Sequence, residues 1–270
     1  MDRALILDYH MHLRDERNDI DHTAEAAEKF VERARERSVD EIGFTEHVYY
    51  FRQTRECWSR PYQLERCVYD LDVYVDAVLE AKRRGLPVKL GLEVDWFPPH
   101  DESLQDLLSS YPWDYLLGSV HWIHGLSVDA TADTGAWREW AEEEVWRRYA
   151  EEWSDAARSG RFDVMSHPDL AKIFGVRGAD EHYAEMAAGA DEGSVALEIS
   201  TAGLRKPVGE IYPDPRLLRD SRAPVTLASD AHVPEEVGEH FDQALELARD
   251  CGRSTVSVFE RRVRRQEPLG

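Results

Sequence analysis

Six histidines and two carboxylates fall where short apolar runs end. Ser229-Asp230-Ala231-His232 closes the run at 224–228 and sets a carboxylate and an imidazole two residues apart. On a strand, positions i and i+2 face the same side, so both groups can share one cavity. His10 and His12 repeat that spacing after the run at 4–9. His47 follows the run at 42–45, His121 the run at 115–120 and His167 the run at 162–165, while Glu93 lies inside the run at 88–94. Burying so many polar groups without partners would cost ~1–3 kcal/mol each, and a shared cation removes that penalty. Mixed imidazole and carboxylate donors suit Zn²⁺, Mn²⁺ or Fe²⁺ rather than Ca²⁺ alone. Eight groups exceed one tetrahedral shell, so His10, His12, His47, Glu93, His121, His167, Asp230 and His232 predict two or three divalent ions. Glu93 is the best candidate to bridge two of them. Close metal pairs generate hydroxide at neutral pH and stabilise both sides of a displacement at phosphorus.

Such convergence requires a scaffold that brings strand ends together. The chain alternates apolar runs with amphipathic segments, which predicts βα units and a parallel sheet. Seven runs end at 9, 45, 94, 120, 165, 199 and 228, each followed by a helix or a long loop. That pattern predicts an α/β fold closed, or nearly closed, into a barrel, whose active site lies at the C-terminal ends of the strands. Helices are expected at about 23–37, 64–84, 137–158, 179–189 and 234–249, with Thr23 a plausible N-cap for the first. The stretches 49–61 and 201–215 read as long loops. No linker, repeat or low-complexity segment divides residues 1–270, so a single domain is expected.

The 270 residues include 54 acidic and 33 basic side chains, a formal net charge of −21. That balance argues against broad nucleic-acid binding, which needs clustered cations. The basic stretch at 261–265 is the exception and reads as the end of a helix complementing its dipole. No run approaches the ~18 apolar residues of a membrane span. The N-terminus enters a strand pattern almost at once and has no signal-peptide architecture. Cys57, Cys67 and Cys251 lack zinc-site spacing and suit free thiols in the cytoplasm. The oligomeric state is not legible.

The motifs form an ordered set: His10-x-His12, Thr45-Glu46-His47, Gly91-Leu-Glu93-Val-Asp95, Gly118-Ser-Val-His121, Ser166-His167-Pro168-Asp169 and Ser229-Asp230-Ala231-His232. In this order they resemble the polymerase and histidinol phosphatase (PHP) superfamily. Leu170-x-Lys172-x-Phe174-Gly175, Ser200-Thr-Ala-Gly203-Leu-Arg205-Lys-Pro207 and Glu210-Ile-Tyr212-Pro213 are closest to its monofunctional histidinol-phosphatase branch. The resemblance covers about residues 5–240. It implies a distorted (β/α)7 TIM-like barrel with three metal ions. One ion takes His10, His12, Glu93 and Asp230, a second His47 and His232, and a third Glu93, His121 and His167. The family usually carries a further metal-binding histidine where this chain has Asn18. Asp15, Asp19 and Asp21 are the oxygen donors nearby.

The resemblance further implies a cytoplasmic phosphomonoesterase of histidine biosynthesis that hydrolyses L-histidinol phosphate to L-histidinol and phosphate. Arg205 would hold the phosphate through its fork geometry, with Lys172 and Lys206 as weaker candidates for the same anion. Asp230 or His232 would manage the proton needed by the leaving alcohol. The alternatives are a nucleotide or other small phosphate ester as substrate, or a metal-binding barrel with weakened turnover, which rests on Asn18. Glu46 is expected to orient His47, Glu198 to support the ligands from behind, and Asp95 either to face the cavity or to serve the scaffold. The remaining histidines, His22, His100, His124, His182 and His240, read as loop or helix residues. The tryptophans at 137, 140, 146 and 153 read as helix packing.

Overall fold

The computed structural model describes residues 4–13, 22–98, 101–129 and 135–270. His100 and the segment holding Asp15, Asn18, Asp19 and Asp21 lie outside them. Along the chain run β1 (Leu7–Asp8), α1 (Ala24–Glu36), β2 (Glu41–Phe44), α2 (Pro61–Arg66), α3 (Leu71–Arg83), β3 (Val88–Leu90), β4 (Glu93–Asp95), α4 (Asp101–Leu108) and β5 (Leu117–Ser119). A small hairpin follows, β6 (Trp122–Ile123) and β7 (Leu126–Ser127), then α5 (Ala136–Glu139), α6 (Glu142–Arg158), β8 (Val164–Met165) and α7 (Asp180–Gly193). The chain finishes with β9 (Ala196–Ser200), α8 (Pro215–Asp220), β10 (Val225–Ala228), α9 (Phe241–Asp250), β11 (Thr255–Glu260) and β12 (Val263–Pro268).

The strands pair in parallel as two arcs, β1-β2-β3 and β10-β9-β8-β5-β4. Both gaps between the arcs are closed by backbone hydrogen bonds. β3 and β4 are one strand interrupted at Gly91 and Leu92. Glu93 N donates to Glu46 O at 3.0 Å, and Gly91 N to Phe44 O at 2.9 Å. On the other side Tyr9 N donates to Leu227 O at 3.0 Å and His12 N to Ala231 O at 2.8 Å. The circuit β1, β2, β3–β4, β5, β8, β9, β10 therefore has seven strand positions. The fold is a distorted (β/α)7 barrel.

The interior explains two sequence features. Tyr115 fills the barrel, with its hydroxyl donating to Tyr9 O at 2.7 Å. A Cβ on Gly43 would lie 1.9 Å from that hydroxyl, so only glycine fits on β2 there. Beneath, Tyr9, Tyr115 and Phe259 of β11 pack as a trio with centroids 5.1–6.3 Å apart. The basic stretch 261–265 is thus not a helix end. Arg261 and Arg262 form the left-handed turn of the β11–β12 hairpin that plugs the barrel floor. β11 buries Val256, Ser257, Val258 and Phe259 in one unbroken run, while β12, with its arginines, stays largely exposed.

Three of the expected helices are broken: 64–84 into α2 and α3, 137–158 into α5 and α6, and 234–249 into a 3₁₀ turn at Pro234–Glu236 and α9. Thr23 caps α1, accepting from Ala26 N at 3.1 Å. α6 buries Val145, Trp146, Tyr149, Ala150 and Trp153 and carries Glu142, Glu143 and Glu144 in its first turn, where the helix dipole favours acid. The expected loop at 49–61 is tighter than a loop: two 3₁₀ turns, Val48–Tyr50 and Arg52–Cys57, lead into α2. Among the described residues no helix is long and apolar enough to cross a membrane.

Candidate metal centre

The C-terminal strand ends are locked together below the site. Asp8, the last residue of β1, accepts from Ser229 N at 2.8 Å, Ser229 Oγ at 2.6 Å and Gly238 N at 2.9 Å. Burial pushes its carboxyl up to about 6 against the pull of these donors. The staple fixes the turn after β10, where Asp230 adopts a left-handed backbone with φ 52°. His167, after β8, also has positive φ, 22°. Such conformations cost about 1–3 kcal/mol and persist where the surroundings over-determine them. Met11 bridges Ala231 in parallel, so His10 and His12 on either side of Met11 share the opposite face.

All eight residues expected as ligands converge. Glu93 is fully buried at their centre. Its carboxylate oxygens lie 2.7 Å from His47 Nδ1, 3.0 Å from His167 Nε2, 3.4 Å from His10 Nε2, 3.5 Å from His121 Nε2 and 3.7 Å from His12 Nε2. Asp230 Oδ1 is 3.2 Å from His12 Nε2 and 3.6 Å from His10 Nε2. The His12 ring lies 4.4 Å from that of His47 and 4.3 Å from that of His232. Four trios each bring three ligand atoms within 4.8 Å of one another: His12, His47 and His232; His10, His12 and Asp230; His10, Glu93 and His167; His47, Glu93 and His121. His12 thus joins His47 and His232, which the family partition pairs alone.

The outer ring nitrogens are oriented from behind. His10 Nδ1 is 2.9 Å from Glu198 Oε2, His121 Nδ1 is 2.8 Å from Asp95 Oδ1, and His232 Nδ1 is 3.1 Å from Asp230 O. Each leaves Nε2 directed inward. Glu198 also accepts from His167 N at 3.0 Å. Glu46 serves a different histidine from the one expected: its carboxylate lies 3.6 Å from His12 Nδ1 and 3.1 Å from His22 Nε2 rather than supporting His47. His22 was not legible as part of this layer. Its only signal is the need of a buried glutamate for a cationic or donating partner.

The charges are strongly coupled. Burial alone would lower the imidazole pKa values, but Glu198, Glu93 and Asp230 hold His10 well above its ordinary value. Against the same desolvation, Asp230 and Glu46 raise His12 to about 9, and Asp95 and Glu93 raise His121 to about 10. Burial and its cationic neighbours keep His47 below normal despite Glu93. Desolvation opposes ionisation of Glu93 and Asp230, yet the imidazoles hold both well below the carboxylate range. His10 Nε2, both ring nitrogens of His12, His47 Nδ1 and Glu93 Oε2 are buried with no hydrogen-bond partner among the described residues. Orphaned donors of this kind, in a mixed nitrogen and oxygen set, fit divalent transition-metal ions.

The cluster opens into a cavity of about 580 Å³. His47, Glu93, His121, His167, Asp230 and His232 lie on its wall, as do Arg205, Lys206, Tyr212, Tyr49, Tyr62, Trp122 and Asp129. Arg205 donates through Nη2 to Ser229 O at 2.6 Å and Asp230 O at 3.1 Å, which docks the guanidinium on the β10 turn. Lys172, expected beside the same anion, is not on this wall. It is 1% exposed, its Nζ donating to Ile211 O at 2.8 Å and lying 3.0 Å from Asp169 Oδ2. Its charge is consumed inside the scaffold, and Lys206 is the lysine that reaches the cavity.

Relatives give the arrangement a family. The PHP domain model matches residues 8–202. A protein of Deinococcus radiodurans named probable histidinol-phosphatase is 38% identical over 193 residues, 70% of this chain and 74% of that one. A Schizosaccharomyces pombe protein of the same name is 24% identical over 268 residues, 89% and 86% of the two chains. The crystal structure of histidinol phosphate phosphatase from Lactococcus lactis, complexed with zinc, L-histidinol and phosphate, superposes with a TM-score of 0.74 at 20% identity, over 97% of this chain and 100% of that one. With the motifs in order around one closed barrel and the family model spanning most of its length, the chain belongs to the PHP domain family.

Proposed function

We propose that this chain is a metal-dependent phosphomonoesterase whose substrate is L-histidinol phosphate, cleaved to L-histidinol and inorganic phosphate as in histidine biosynthesis. The observation that carries the reading is the buried ring of imidazoles around Glu93 at the base of a cavity that also presents Arg205. The names of the relatives supply the substrate. His10, His12, Glu93 and Asp230 would hold one ion, His47 and His232 with His12 nearby a second, and Glu93, His121 and His167 a third. Zinc, manganese or iron in these positions supplies an activated water at neutral pH and positive charge for the phosphoryl oxygens.

The chain's own residues do the rest. Arg205 binds the phosphoryl group from a guanidinium anchored on the β10 turn, where Nη1 also donates to Glu239 Oε2 at 3.3 Å. Of the ligand residues on the cavity wall, Asp230 and His232 follow β10 in the turn that anchors Arg205, so either can hold the proton destined for the leaving alcohol. Tyr49, Tyr62 and Trp122 wall off solvent, and Asp129 offers a carboxylate to the cationic half of the substrate. Residues 1–270 are read as one barrel domain, and the free thiols as those of a cytoplasmic protein.

Steady-state assays with histidinol phosphate and a generic aryl phosphate, with Zn²⁺ or Mn²⁺ added, test the reading. Turnover of both, with a much higher kcat/KM for histidinol phosphate, supports it. Turnover of the aryl ester alone moves the substrate to another small phosphate ester. No turnover of either by metal-loaded protein overturns it. Arg205→Ala should raise KM for the phosphomonoester substantially, and an unchanged KM removes Arg205 from the phosphate site.

A further inference from the structure

Tyr212 has a hydroxyl that the scaffold does not use. The residue is 1% exposed, yet it lines the metal-centre cavity. Its hydroxyl is buried with no hydrogen-bond partner among the described residues. A phenol in that state normally finds a partner, and leaving it without one is costly. The backbone around it is built with care. Tyr212 N donates to Ser200 O at 2.9 Å and Ser200 N to Tyr212 O at 2.7 Å, pinning the residue to the end of β9. Its ring stands 6.4 Å from the His167 ring, nearly edge-on, and Lys172 Nζ lies 5.2 Å from its centroid. A Cβ on Gly203 would sit 2.9 Å from the Tyr212 ring and 2.0 Å from Glu210 O, so this close approach requires glycine. Gly203, Arg205, Lys206 and Tyr212 therefore belong to one folded segment that delivers two cations and a phenol to the same cavity.

We propose that Tyr212 is a substrate-contacting residue whose hydroxyl donates a hydrogen bond to the phosphoryl group of the bound ester, beside Arg205. This rests on the phosphatase reading and deepens it. A phenol is the right donor for the position. Desolvation and the carboxylates Asp169, Asp230 and Asp129 push its ionisation far above the usual tyrosine value, so it stays a neutral donor throughout the working pH range. Two of those carboxylates, Asp230 and Asp129, are on the cavity wall, which places the hydroxyl within reach of their field. A neutral O–H adds a directed contact to an anion without further charge to desolvate. Removing one preorganised donor to a charge-bearing transition state typically lowers turnover by about 10²-fold or more, and a ground-state contact by less.

The test is Tyr212→Phe in the full-length, metal-loaded protein. The change deletes an oxygen that has no partner among the described residues and keeps the ring over Lys172. Histidinol phosphate turnover, competitive inhibition by inorganic phosphate, bound metal and Tm are measured together. The expected result is a fall in kcat/KM of roughly 10- to 100-fold and a several-fold weaker phosphate Ki, with metal content and Tm unchanged. Values of kcat/KM and Ki within twofold of wild type overturn the proposal. So does a loss of activity accompanied by loss of metal or of Tm, which would make Tyr212 structural. Failure of the wild type to hydrolyse either ester strikes the phosphatase reading instead, and phosphate Kd values of the two metal-loaded proteins, measured by calorimetry, then decide the role of Tyr212.

Discussion

Glu46 stands between two histidines, its carboxylate 3.1 Å from His22 Nε2 and 3.6 Å from His12 Nδ1. His12 is shared by two of the ligand trios, as are His10, His47 and Glu93. His22 is closed in by Phe51, Tyr69 and Tyr74, with ring centroids 5.3–6.1 Å away. A buried carboxylate thus links an aromatic-walled imidazole outside the metal centre to one of the imidazoles within it. Burial opposes ionisation of Glu46, but the neighbouring imidazoles of His12 and His22 bring its carboxyl down to about 2.

Glu46→Gln removes the charge that orients His12 and keeps the shape. Partners behind a ligand are typically worth 10- to 100-fold in metal affinity. The expected outcome is a zinc Kd weakened by about that factor, measured by competition with a chromophoric chelator, with the fold retained by circular dichroism. Asp95→Asn, acting on His121 at 2.8 Å, provides the comparison. A zinc affinity unchanged in Glu46→Gln would mean that His12 is held by packing alone.

Metal removal should cost stability as well as activity. His10 Nε2, His12, His47 Nδ1 and Glu93 Oε2 have no other partner among the described residues, so ions bound there favour the native state over the unfolded chain. At free metal ~1,000-fold above Kd the gain is about 4 kcal/mol. For a chain of this size that corresponds to a Tm roughly 10 °C higher. Exhaustive chelation should lower Tm by that order and abolish phosphatase activity, and Zn²⁺ or Mn²⁺ should restore both. Equal melting curves before and after verified metal removal would refute the link.

Lys172 is expected to matter for folding rather than for substrate. It and Asp169 form a buried pair 3.0 Å apart. Asp169 also accepts from Tyr183 Oη at 3.2 Å and Asp214 N at 2.8 Å, which ties the segment after β8 to the start of α8. Lys172→Met strands a buried carboxylate, so chemical denaturation should show a loss of about 3–5 kcal/mol. KM for the phosphomonoester should stay within twofold. A raised KM at wild-type stability would return Lys172 to the anion site.

What could be read from the chain alone follows a physical divide. Strand ends were legible because buried parallel strands leave apolar runs, and polar residues closing every run need a reason. His10, His12, Glu93, His167 and Asp230 were found that way. Their supports were not. Asp8 lies inside an apolar run, and its three donors come from residues more than 200 positions away. His22 and Glu46 meet only after the barrel closes. Lys172 misled because a lysine near an anion-binding motif looks the same in sequence whether its ammonium reaches the cavity or an aspartate three residues earlier. The hairpin at 255–268 was obscured by its arginines, which cluster at the turn and on the solvent-facing strand.

That hairpin gives a stability prediction with a defined pH window. Lys89, buried on β3, places Nζ 2.5 Å from Glu260 Oε2 on β11 and 3.6 Å from Glu41 Oε2 on β2. Desolvation lowers its pKa, but Glu260 and Glu41 outweigh it and leave the ammonium above 10.5. A cation raised in the folded state contributes stability in full below the unfolded value and loses it as pH rises through the folded one. Glu260 is held below 4.5, first by its bond to Lys89 and against burial, so its share is present above 4.5 and fades as pH falls further. The contribution is therefore level between about 4.5 and 10.5. Because Glu260 is 51% exposed, solvent screening limits it to about 1 kcal/mol. Urea unfolding of wild type and Lys89→Met should differ by about that amount at pH 7 and pH 9 and converge above pH 10.5. A gap that stays constant to pH 11.5 would show that Lys89 stabilises the barrel floor through its methylenes and not through its charge.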